Sequence, residues 1–190
     1  GLSKRQRRGA LLAGAIGFGF ITLGTDILGA LIIFVTFWVF FLTLFGGIGD
    51  ADQNESYLGG LGRFLAGFAL PLSIIVAVAL IALVMGFLAS RWILRAHNVE
   101  RSVGVTWSGF AVSAIPNGFA AITIYFIGTG VVSSLPAALV VDQTVQFAGY
   151  LIMIGVHVLV GVAIGALVWW WMAHVLRPRA DNPVQPQPLV

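Results

Sequence analysis

The sequence predicts an all-α integral membrane protein: a four-helix transmembrane bundle, preceded by a glycine-rich apolar interfacial segment, with both ends on the cytoplasmic side. Three observations predict it. Apolar residues make up 59% of the 190 positions and charged residues only 9%. A soluble domain carries roughly 25% charged residues, so water cannot be the main solvent of this surface. Four apolar runs also reach the length of about 20 residues that a bilayer crossing needs, and the basic residues gather at the ends of those runs.

The first run, Leu11 to Ile48, is the awkward one. As a single helix it would be roughly 55 Å long, against a hydrocarbon core of about 30 Å. Splitting it near Gly24-Thr25-Asp26 adds a crossing and gives a first half of only about 14 residues, short for a span. The split would also put the Arg91–Arg101 segment opposite the basic N-terminus, against the charge rule. The expected span is therefore 27–48. The preceding 11–23 segment would lie along the cytoplasmic interface or dip into it, because Gly14, Gly17, Gly19 and Gly24 make it a poor autonomous helix. Asp26 then falls at headgroup level as a helix N-cap with Thr25. A deeper Asp26 would instead be a candidate proton or cation ligand.

The second span is expected at 64–89, after a connection from Gly49 to Gly62 holding Asp50, Asp52 and Glu55. The third is expected at 105–132, after a segment holding Arg91, Arg95 and Arg101, and the fourth at 145–174, after a segment with Pro136 and Asp142. Residues 1–176 thus form one transmembrane domain. The 177–190 tail, with Pro178, Pro183, Pro186 and Pro188, reads as an extended, disordered cytoplasmic segment.

Orientation follows from charge. Lys4, Arg5, Arg7, Arg8, Arg91, Arg95, Arg101, Arg177 and Arg179 all fall on one side of a four-span chain, and only Arg63 falls on the other. Cytoplasmic flanks carry this excess. Trp92, Trp107 and Trp169-Trp170-Trp171 map to the same edge, where indole rings settle. Lys4, Arg5, Arg7 and Arg8 would meet anionic lipid headgroups. They lack the short apolar core and small-residue site of a removed signal peptide, and they offer too little basic surface for nucleic acid.

Helices in lipid associate through close packing of small residues. Gly149, Met153, His157, Gly161, Gly165 and Trp169 recur every four residues on the fourth span, and Thr106, Gly109, Ser113, Asn117, Ala121 and Tyr125 recur at mostly four-residue spacing on the third. Gly67 and Gly86 are the corresponding packing candidates on the second. Phe34, Phe37, Phe41 and Phe45 form a bulky stripe on the first.

Few groups can carry chemistry. His157 and Asn117 each lie about twelve residues into their spans, near the midplane at 1.5 Å per residue, and both sit on the small-residue faces. A His157–Asn117 contact, with Ser113 one turn away, is the candidate intramembrane polar site, with Asp26 as its outlying member. A structural role, with the imidazole satisfied by an amide and a carbonyl, is the plainer reading of the same residues. No cysteine is present, which removes thiol nucleophiles, thiolate metal sites and disulfides. No paired intramembrane carboxylates and no His-Glu-x-x-His occur, so neither an enzyme, a metal nor a cofactor is expected. The sequence therefore predicts a non-catalytic accessory or structural subunit, whose partners are lipids and other membrane subunits or copies of itself. The alternative is a small homo-oligomeric channel or transporter with a pathway near Asn117 and His157.

Overall fold

The computed structural model describes residues 2–46, 51–136 and 143–176. The Pro-rich tail with Arg177 and Arg179, Asp50, Asp142, and the side chains of Phe41, Phe45, Asp52, Glu55 and Arg63 lie outside the described residues.

The chain is all-helical among the described residues. α1 runs Lys4–Gly46, α2 Ala51–Ala96, α3 Ser102–Ser133 and α4 Gln143–Val175. Four segments are long and apolar enough to cross a membrane: Lys4–Phe37, Ala69–Ala96, Ser102–Ser133 and Thr144–Val175.

Two boundaries differ from the sequence expectation. The glycine-rich segment is not separate from the first span, because α1 continues unbroken through Gly24, Thr25 and Asp26. Thr25 does not cap a helix start; its hydroxyl donates back to the Ile21 and Thr22 carbonyls at 2.9 Å. The physical reason is tertiary. The glycines that weaken this segment in isolation admit the neighbouring backbones. A Cβ on Gly14 would collide with the Gly165 carbonyl, and one on Gly17 would lie 2.8 Å from the Gly86 carbonyl. Packing of this kind outweighs intrinsic propensity in holding a helix. The second difference lies at Gly49–Gly62, where helix α2 already begins at Ala51.

α1 is the central helix, packed along α2 on one side and α4 on the other, while α3 packs mainly on α4. The N-terminus of α1 is tied to the turn between α2 and α3. Arg5 Nη2 donates to the Ala96 carbonyl and Gln6 Nε2 to the Asn98 carbonyl, both at 2.9 Å. Lys4, Arg5, Arg7 and Arg8 therefore share one end of the bundle with Arg91, Arg95 and Arg101. The core at this basic end is built from Ala10, Ala13, Phe18, Leu94, Val105 and Trp169 with their neighbours. Farther along, α2 and α3 separate and leave an apolar groove of about 660 Å³, lined by Phe18, Ile21, Phe87, Trp107 and Phe110, with Thr25 and Asn117 among its few polar residues.

Candidate functional site

Three helices meet at one polar layer near mid-length. Asp26 on α1 faces His157 on α4, with Nδ1 at 2.8 Å from Oδ1 and 2.9 Å from Oδ2. On the other side of the ring, Nε2 lies 3.2 Å from the backbone carbonyl of Asn117 on α3. The Asp26 side chain is 7% exposed and that of His157 2%. Tyr125, two turns beyond Asn117 on α3, presents its ring edge-on to the imidazole at 6.1 Å between centroids.

A ring that bonds on both sides sets a proton count. A carbonyl only accepts, so Nε2 carries a hydrogen and donates it to Asn117. Nδ1 and the carboxyl group then share one further proton. Held on Nδ1, it makes an imidazolium–carboxylate pair; held on Asp26, it makes an imidazole and a carboxylic acid. Both arrangements are net neutral, the condition under which a buried pair is tolerable. Loss of that proton leaves one N–H for two acceptors, Asp26 and Asn117. One of the two links, to α1 or to α3, must then break. Proton occupancy is in this way tied to how α4 is held.

A second layer lies one turn toward the basic end. Thr22 is four residues before Asp26, Ser113 four before Asn117, and Gly161 four after His157 on the oppositely directed α4. A Cβ on Gly161 would collide with the Thr22 hydroxyl. Thr22 and Ser113 are both 0% exposed, and neither Oγ has a hydrogen-bond partner; Asn117 Oδ1 is likewise buried without one. A third layer is aromatic. Phe18 lies 6.4 Å from Phe110 and 5.9 Å from Trp169, centroid to centroid. Trp169 covers Gly109, where a Cβ would fall 2.7 Å from the indole. Closest to the basic end, Trp169 Nε1 donates to Ser90 Oγ at 2.7 Å, and Thr106 donates to the Ser102 carbonyl at 2.8 Å.

Sequence reasoning placed His157, Asn117 and Ser113 together, and they are neighbours here. The histidine, however, uses the Asn117 backbone rather than its side chain. Asp26 belongs to the centre of the site and not to a helix start. Thr22 is not among the residues the sequence singles out, and Tyr125 enters there only as a member of the α3 contact face. A signal for both Asp26 and Thr22 existed: Gly14, Phe18, Thr22 and Asp26 recur every four residues, one face of a helix that only an unbroken α1 would show. Of the packing glycines, Gly86, Gly109, Gly161 and Gly165 lie at close helix contacts, and a Cβ on Gly149 would sit 3.2 Å from Val132. A side chain at Gly67 would meet nothing within 4 Å, so this glycine is not at a close helix contact. No three His, Asp or Glu side chains among the described residues group to hold a metal ion.

No family model, curated protein or solved structure matches the chain.

Proposed function

We propose that the protein is a small multi-pass membrane protein, with both ends on the cytoplasmic side of a cell membrane, that takes up and releases a proton at the Asp26–His157 pair as part of transport. The observation that carries this reading is the pair itself: two ionisable side chains, 7% and 2% exposed, joined across helices at the middle of apolar segments. Ionisable groups at that depth are expensive, and each is by default a candidate for a proton or ion pathway. The proton-dependent link of α4 to α1 and α3 supplies what a carrier or channel needs, a local charge event that changes helix contacts. Four spans with so few polar groups do not enclose a wide path, so the working unit is a homo-oligomer. No catalytic chemistry is proposed.

The test is proton flux into vesicles of phosphatidylethanolamine and phosphatidylglycerol carrying the purified protein, read with an internal pH dye. The wild type should conduct above protein-free vesicles, and Asp26→Asn and His157→Leu should abolish the difference. Wild-type flux in Asp26→Asn would overturn the reading.

A second reading, an accessory subunit of a larger membrane complex, is favoured by one surface. Ile115, Phe119, Ile122 and Phe126 on α3 are exposed by 68%, 70%, 70% and 82%. Their 4-3-4 spacing is that of a helix-pairing seam. Extraction in mild detergent and mass determination of what co-purifies separates the two: larger subunits in fixed ratio favour the accessory role, and copies of this chain alone favour the transporter.

A further inference from the structure

We propose that Thr22 and Ser113 carry protons between the Asp26–His157 pair and the basic end of the bundle, and that Trp169 closes this route. The proposal rests on the proton-handling reading above and adds its direction and its barrier.

Elsewhere in this chain, buried and exposed hydroxyls bond back along their own helices. Thr25, Ser73, Thr106, Ser108, Thr123, Thr129 and Ser133 each donate to the carbonyl four residues earlier, at 2.6–2.9 Å. That back-bond is the local way to satisfy a helical Ser or Thr. Thr22 and Ser113 are fully buried and forgo it. A buried hydroxyl without a partner is costly, so rotamers that leave both unpaired call for a reason. Their position gives one. They occupy a single layer, one turn from Asp26 and Asn117, on the side of the basic end. Packing alone asks only for their shape, which valine and alanine supply. A hydroxyl both donates and accepts, so, bridged to its neighbours by water molecules entering this layer, it takes a proton on one side as it gives one up on the other, and no net charge remains on it.

The next layer is shut. Trp169 is 0% exposed and spans the space over Gly109, with Phe110 edge-on at 4.9 Å. Beyond it lies a second polar group, in which Ser90 Oγ and Thr106 Oγ1 are 3.5 Å apart. The hydrogen bond from Trp169 Nε1 to Ser90 at 2.7 Å holds the indole between the two polar groups. A proton passing through the packed core from the basic side therefore meets that indole before it reaches Ser113 and Thr22.

The experiment uses the full chain in the same vesicles. Thr22→Val with Ser113→Ala should lower flux about tenfold or more, while Thr22→Ser, which keeps the hydroxyl, should retain it. Trp169→Phe, which keeps a ring and loses the donor, should raise flux. Because the chain has no cysteine, Ser113→Cys can be labelled alone; a small thiosulfonate added from the basic side should react faster in the Trp169→Phe background. Flux through Thr22→Val/Ser113→Ala equal to wild type, with Asp26→Asn inactive, would overturn the route and leave the proton-handling function standing. Unchanged flux in Asp26→Asn would overturn both. Unchanged flux and labelling in Trp169→Phe would overturn the barrier.

Discussion

Replacing Asp26 by asparagine separates a proton site from a structural clamp, because the two roles respond to it in opposite ways. In the wild type one proton is shared between His157 Nδ1 and the carboxyl group at 2.8 and 2.9 Å. An asparagine amide fits the same space and donates an N–H to Nδ1. The ring then stays neutral, with Nε2 still donating to the Asn117 carbonyl. Every link between α1, α4 and α3 survives, and only the labile proton is gone. A neutral hydrogen bond contributes about 0.5–1.5 kcal/mol and one to a charged group about 1.5–3 kcal/mol. The stability loss of Asp26→Asn should therefore be about 1 kcal/mol. His157→Leu is the contrasting perturbation. It removes both links and leaves a buried carboxyl group unpaired, for which losses of about 3–5 kcal/mol are typical of a broken buried pair. Thermal unfolding in detergent, followed by helical circular dichroism, measures the stability order. Vesicle proton flux tests the proposed function. The expected result is a fold barely changed by Asp26→Asn together with abolished flux. An Asp26→Asn protein that conducts like the wild type would refute the reasoning. So would one that unfolds as readily as His157→Leu, since the amide would then not be replacing the carboxyl group in the link.

Three further predictions follow from packing and orientation. Gly165→Ala sets a methyl against the Gly14 carbonyl and Phe18, and should cost about 1–3 kcal/mol by overpacking, whereas Gly67→Ala, with nothing within 4 Å, should be neutral or stabilise by up to about 1 kcal/mol through helix propensity; unfolding of the two proteins side by side checks this. Ser90→Ala removes the acceptor of the buried Trp169 N–H and should cost about 1–3 kcal/mol, visible as a lower melting temperature and an altered indole fluorescence. Cysteines placed singly at Gln53 and Asn98 should label from opposite faces of sealed vesicles, and labelling from one face would break the four-span threading.

Much of the fold was legible in the residues themselves. The apolar runs, the charge pattern and the small-residue faces fix the number of long helices. They also identify His157, Asn117 and Ser113 as polar groups on contact faces. What they misplace is the start of the first span. By propensity the glycines of 11–24 are a weakness, because propensity is a property of an isolated helix. In the fold the same glycines are where α2 and α4 come closest, as Gly14 against Gly165 and Gly17 against Gly86 show. That one change of role moves Asp26 from a helix start to the centre of the bundle.

The sequence by itself determined the apolar character of this protein, its set of long apolar helices and the end at which its basic residues gather, because each is a sum over many residues and no single contact decides it. Only the tertiary structure decided that Asp26, 131 positions from His157, is its partner. It also decided that Thr22 and Ser113 keep unpaired hydroxyls one turn away. Such pairings depend on which helix faces which and at what height. Those choices are set by close backbone approach between segments distant in the chain, and no local pattern of residues encodes them.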